Sequence, residues 1–164
     1  SSVFKSFSKL KFPINQLAQN INNQVKESSY KGMFITAVIG KLNISSKEVE
    51  FVNFGHESIM CFNKNKKSFS YIKAERPPLG LLNIKDPQTI KTTNINLKDK
   101  NIFIYTDGVT EGYIESDKEF TVKGVEDEVL KNSSSDIKEI IDQITDKLNN
   151  REKLRDDITM MGLQ

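Results

Sequence analysis

Three acidic positions in this 164-residue chain sit where carboxylates can do chemistry. Asp107 follows the apolar run Ile102-Phe103-Ile104-Tyr105 and is itself followed at once by Gly108. Asp156 and Asp157 stand directly before a second apolar stretch, Ile158–Leu163. A carboxylate at the end of a buried strand is held and aimed by the sheet. A glycine after it lets backbone or ligand approach closely. Two such strand ends side by side can share one hard cation, such as Mg²⁺ or Mn²⁺. Each motif also has a plainer local reading. Asp107–Gly108 alone reads as a β-turn after a strand. Asp156–Asp157 alone reads as a solvated charge pair in a loop rich in Lys, Arg and Asp.

The remaining chemistry-bearing residues narrow the choice. There is one histidine, His56, and one cysteine, Cys61. That count excludes a disulfide framework and a Cys-based zinc site, and it leaves no histidine cluster. A lone His is the usual type of general base. No Ser or Cys nucleophile motif accompanies it, so a hydrogen-bonded structural histidine at a turn is the simpler reading. Cys61, between Met60 and Phe62, reads as a buried, inert thiol. Any metal must then be held by carboxylates. Lys+Arg 24 against Asp+Glu 22 gives +2, too small a field to imply a nucleic-acid or anionic-membrane partner. No apolar run approaches the roughly 18 residues of a membrane span. Ser1–Phe12 lacks the continuous apolar core and cleavage site of a signal peptide, so the default compartment is the cytoplasm.

The elements that would position these residues follow from periodicity. Val3, Phe4, Phe7 and Leu10 are spaced as one face of a short helix that Pro13 ends. Ile14, Leu17, Ala18, Ile21 and Val25 form one stripe of a second helix, with Pro13 suited to its start. Met33–Leu42, Val49–Phe54, Ser58–Phe62, Phe69–Ile72, Thr89–Leu97, Asn101–Thr106 and Ile158–Leu163 read as strands. Asn43–Lys47 and Asn63–Lys67 are turns, and turns this short imply antiparallel pairing. Pro77-Pro78-Leu79-Gly80 must be a turn or loop. Ile102–Tyr105 is apolar on both faces, as a central, covered strand would be. A loop follows Asp107. Two helices come next, Thr121–Lys131 and a second capped within Ser133–Ser135. The second carries Ile137, Ile140, Ile141, Ile144 and Leu148 on one stripe. The fold class is α+β: antiparallel sheets with helices packed outside.

Asp107 in Thr-Asp-Gly-Val-Thr-Glu invites comparison with haloacid-dehalogenase-type phosphatases, which place Asp-x-Asp-x-Thr after an apolar strand. Val109 occupies the second Asp position, and alternating βα units are missing, so that reading is rejected. A different resemblance joins the separate fragments in order. Gly32-Met33-Phe34-Ile35-Thr36, Val52-Asn53-Phe54-Gly55-His56, Pro77-Pro78-Leu79-Gly80, Tyr105-Thr106-Asp107-Gly108-Val109-Thr110-Glu111 and Asp156-Asp157-Ile158-Thr159 together resemble the bacterial branch of the PPM metal-dependent Ser/Thr phosphatases. That branch includes the stage II sporulation protein E and RsbU-type regulators. The match runs over essentially the whole chain as one domain, residues 1–164.

The resemblance implies two stacked antiparallel sheets flanked by helices, with a binuclear Mn²⁺ or Mg²⁺ centre at the sandwich end. The metals would activate a water that attacks phosphorus directly. It implies that Asp107 and Asp156 are the catalytic metal ligands. Asp157 would be the second member of the late pair beside the metal, and Gly108 would permit close approach to it. The family's early Gly-Asp-x-x-Asp and Gly-Asp-Val-Ser-Gly-Lys-Gly-type segments are not in the chain, so an N-terminally truncated domain with an incomplete, weakly active centre is expected. His56 makes an additional metal site at Gly55–His56 doubtful, although Gly-His fits the bacterial branch. The implied substrate is a phosphoserine or phosphothreonine on a STAS-type anti-sigma-factor antagonist. The parent protein would carry a sensor or membrane region, with a dimer possible, and the two leading helices would be the switching region. The competing reading is a catalytically inactive PPM-like domain that binds a partner.

Overall fold

The computed structural model describes residues 12–30, 32–111, 113–115, 118–149 and 157–164. The expected first helix and Asp156 lie outside the described residues. Two compact units form. One takes the described residues of Ser1–His56 and Lys73–Asn96, the other those of Glu57–Ile72 and Leu97–Gln164.

In the first unit, helix α1 (Ile14–Ser28) begins after Pro13, as the fixed φ of proline favours. Strands β1 (Ala37–Asn43), β2 (Glu48–Phe54) and β5 (Thr93–Asn96) form an antiparallel sheet in the order β1-β2-β5. Ile14 and Ala18 of α1 are buried with Ile39, Val52, Phe54, Leu79, Ile84 and Ile90, and Leu17, Ile21 and Val25 pack against them. The predicted stripe is therefore the buried face of α1. Two strands are shorter than expected. Met33, Phe34 and Ile35 are exposed, and only Ile35 makes a β-bridge, to Leu79. Pro87–Thr89 forms a 3₁₀ turn capped by Asp86, whose side chain accepts from Gln88 N. That delays β5 to Thr93.

In the second unit, β3 (Ile59–Asn63), β4 (Ser68–Ile72), β6 (Lys100–Tyr105) and β9 (Met160–Leu163) form an antiparallel sheet, order β4-β3-β6-β9. β6 is an inner strand, and Ile102 and Phe103, on opposite faces, are both buried. Met60, Phe62, Phe103 and Tyr105 meet α3 (Thr121–Lys131) and α4 (Ile137–Asn149) through Val125, Val129, Ile140, Ile144 and Leu148. Each fully buried aliphatic side chain there contributes roughly 1.5–3 kcal/mol. A Cβ at Gly162 of β9 would lie 2.5 Å from Ile137 Cγ1, so glycine permits the close approach of α4. That helix is capped by Asp136, whose Oδ1 accepts from Glu139 N at 2.9 Å, and not from within Ser133–Ser135. The expected loop after Asp107 is partly a short helix, α2 (Asp107–Thr110), followed by a small hairpin of β7 (Tyr113–Glu115) and β8 (Lys118–Glu119). Val109 is fully buried in the core of this unit, and that packing overrides the poor helix propensity of Gly108.

The two hairpin tips share one construction. Asn43 Oδ1 accepts from Ser45 N and Ser46 N, and Asn63 Oδ1 accepts from Lys66 N. Lys47 and Lys67 then turn the chain at φ 54 and φ 47. These Asx-type turns match the predicted positions. Among the described residues the fold is α+β, with two main antiparallel sheets, the small β7–β8 hairpin and four α-helices, the class that the sequence implied.

Candidate metal centre

Asp107 is the first residue of α2, two positions past the end of β6, and it is exposed. Its Oδ1 accepts from Gly108 N at 2.9 Å, a local bond that orients the carboxylate at the strand tip. Gly108 is buried beneath it. Asp157 is exposed at the approach to β9. The two ends are joined by Thr106. Its amide donates to Thr159 O at 3.0 Å, extending the β6–β9 ladder one residue beyond Tyr105–Met160. Its hydroxyl donates to Asp157 O and accepts from Thr159 N, each at 3.1 Å. The Thr-Asp-Gly motif and the Asp157–Thr159 segment are thus brought to neighbouring strand ends. Asp156 lies outside the described residues.

The donors here are carboxylate and carbonyl oxygens, which suit Mg²⁺ or Mn²⁺ in kind. Among the described residues no group of three His, Cys, Asp or Glu could hold a metal. Tyr105, two residues before Asp107, has its phenol pushed up to about 12, first by burial and then by the charges of Glu57 and Glu126. Tyr71 is raised in the same direction by burial and by donating to Glu126 Oε1 at 2.7 Å. Cys61 is buried and its thiol is raised by desolvation, in keeping with its reading as a core residue.

In the first unit the Gly-His and Pro-Pro-Leu-Gly motifs meet each other. Gly55 turns at φ +64, and a Cβ there would lie 2.6 Å from Pro78 Cγ. Asn53 brackets the turn: its Oδ1 accepts from His56 N at 2.9 Å and its Nδ2 donates to His56 O at 3.3 Å. Beyond the prolines, α1 grips the following loop by side-chain amides. Gln19 Nε2 donates to Ile84 O and Lys85 O. Asn22 Nδ2 donates to Leu82 O while its Oδ1 accepts from Gly80 N. These contacts pack the two motifs together, and the His56 backbone is held at a turn by the Asn53 side chain. Two positioning side chains escaped the sequence reading: the Thr106 hydroxyl and the Asn22 amide. The second had a visible signal, a polar row at 19, 22, 23 and 26 beside the apolar stripe of α1.

The family described as Stage II sporulation protein E (SpoIIE) matches residues 1–164. The chain belongs to the SpoIIE family. Its fold is that of PP2C phosphatase domains. Against the PP2C domain and regulatory-domain fragment of SpoIIE from Bacillus subtilis the TM-score is 0.76 at 15% identity, covering 99% of this chain and 47% of that one. Against the RsbU and RsbW domains of Rv1364c from Mycobacterium tuberculosis it is 0.68 at 19% identity, covering 94% and 42%. Against the Mn-presoaked phosphatase domain of Bacillus subtilis SpoIIE it is 0.62 at 14% identity, covering 99% and 70%. The chain thus spans less than half the length of the first two structures. No curated protein matches it. No helix among the described residues is long and apolar enough to cross a membrane.

Proposed function

We propose that this SpoIIE-family chain is a phosphatase module, acting as one PPM-type domain, that hydrolyses phosphoserine or phosphothreonine in a protein substrate. The observation that carries the reading is the junction of β6 and β9, where Thr106 ties the Asp107 tip to the segment after Asp156. Family membership and the PP2C fold support it. So does the manganese presoak of a structurally similar domain, which makes Mn²⁺ the first metal to test. Asp107 and Asp156 would hold the metal, with Asp157 beside them. When bound, a divalent metal supplies a nucleophilic water near neutral pH and positive charge for the phosphoryl oxygens. Asp107 contributes a carboxylate fixed by Gly108 N–H. Gly108, lacking a side chain, leaves the approach to that carboxylate clear. The substrate class is a phosphorylated STAS-type anti-sigma-factor antagonist, and the setting is cytoplasmic signalling.

The test is Mn²⁺-dependent release of phosphate from a phosphoserine peptide, by this chain and by one extended upstream of Ser1. Asp107→Asn is expected to lower turnover by at least about a hundredfold, since losing one preorganised charge-stabilising group costs that much. No hydrolysis and no Mn²⁺ binding at either length would leave the partner-binding alternative.

A further inference from the structure

Thr106 occupies the N-cap of α2, where a threonine hydroxyl normally accepts from an amide of the helix's first turn. Here it makes no such bond. The hydroxyl is turned across the sheet instead. It donates to Asp157 O and accepts from Thr159 N, both at 3.1 Å, while the Thr106 amide donates to Thr159 O. Where a continuing ladder would use the Thr106 carbonyl to receive Thr159 N, the side chain receives it. That frees the carbonyl for Val109 N at 3.0 Å, the first backbone bond of the turn carrying Asp107. One side chain therefore lets β6 leave the sheet and enter α2 while the 157–159 segment stays attached.

We infer that Thr106 is a positioning residue: its hydroxyl fixes the Asp107 tip against the Asp157–Thr159 backbone and so holds the Asp107 carboxylate in the geometry that a metal would need. The inference rests on the metal-dependent reading of this corner. Valine keeps the shape and β-branching of threonine but can neither donate nor accept. Serine keeps both abilities.

The experiment is Mn²⁺ titration followed by electron paramagnetic resonance of free Mn²⁺, on this chain and on the upstream-extended chain. Thr106→Val is expected to weaken Mn²⁺ binding at least about tenfold, the usual scale for losing a group that orients a ligand. Thr106→Ser should stay within about threefold of the parent. Equal Mn²⁺ affinity in Thr106→Val and parent overturns the inference even if the phosphatase reading stands. Parent that binds Mn²⁺ without hydrolysing phosphopeptide sinks the phosphatase reading, and the Val and Ser affinities still decide the role of Thr106. Parent that binds no Mn²⁺ at either length overturns both. Amide exchange gives a check that needs no variant: Thr159 N–H should be protected in the parent chain, and an unprotected amide there overturns the inference.

Discussion

A single backbone position can separate strain from crowding in this protein. Gly55 turns at φ +64 with Pro78 2.6 Å from where a Cβ would stand, whereas Gly32 turns at φ +93 with nothing within 4 Å. Gly32→Ala should therefore cost only the left-handed backbone penalty, about 1 kcal/mol. Gly55→Ala should cost that and a steric displacement as well, at least about 2 kcal/mol in total. Urea unfolding of both variants checks the ordering, and equal losses would mean that Pro78 yields freely. At this scale the sequence was legible where a residue's place in the fold is set by its own type. Asp107 at the end of an apolar run, Gly108 after it, and a buried Cys61 are examples. Thr106 was not legible, because its hydroxyl chooses between a helix cap and partners 51 and 53 positions away, and that choice depends on strands meeting.

At the scale of elements, α3 and α4 are joined by apolar packing and by the Glu128–Lys147 ion pair. Glu128 is buried, its Oε1 pairs with Lys147 Nζ, and its Oε2 has no hydrogen-bond partner among the described residues. Lys147→Met should destabilise the chain by roughly 2–4 kcal/mol, because the carboxylate stays buried without its countercharge. Adding Glu128→Leu should recover most of that loss. Thermal melts of the single and double variants check this, and a double variant no better than the single would show that the pair itself stabilises. The helices were readable from their apolar stripes. Their ends were less so, since Asp136 caps α4 from just beyond the predicted Ser133–Ser135 window. The start of α2 was missed because burial of Val109, not propensity, makes that turn helical.

For the molecule as a whole, the buried phenol of Tyr105 makes stability depend on alkaline pH. Its folded value of about 12 lies above the ordinary tyrosine value of 10. Below pH 10 it is protonated in both states, and its contribution is fully present. Between pH 10 and 12 only the unfolded chain gives up the proton, so stability falls. The loss amounts to on the order of 2 kcal/mol by the time the folded phenol titrates. Tyr105→Phe should flatten the unfolding free energy over that window, and an unchanged slope would remove Tyr105 as its source. The α+β class and the antiparallel pairing across the short turns were legible from apolar runs and turn residues. The division into two units, each taking two separate stretches of chain, was not. It depends on which strands pair, and no local pattern states that. The same pairing has a kinetic side. The β3–β4 hairpin closes over a few residues at Asn63–Ser68, while the β6–β9 contact must close a loop of more than fifty. Loop entropy therefore delays the second contact. Refolding should restore the β3–β4 sheet signal before the Asp107 and Asp157 strand ends meet, so a chain caught early would show sheet by circular dichroism while its acidic corner is still open.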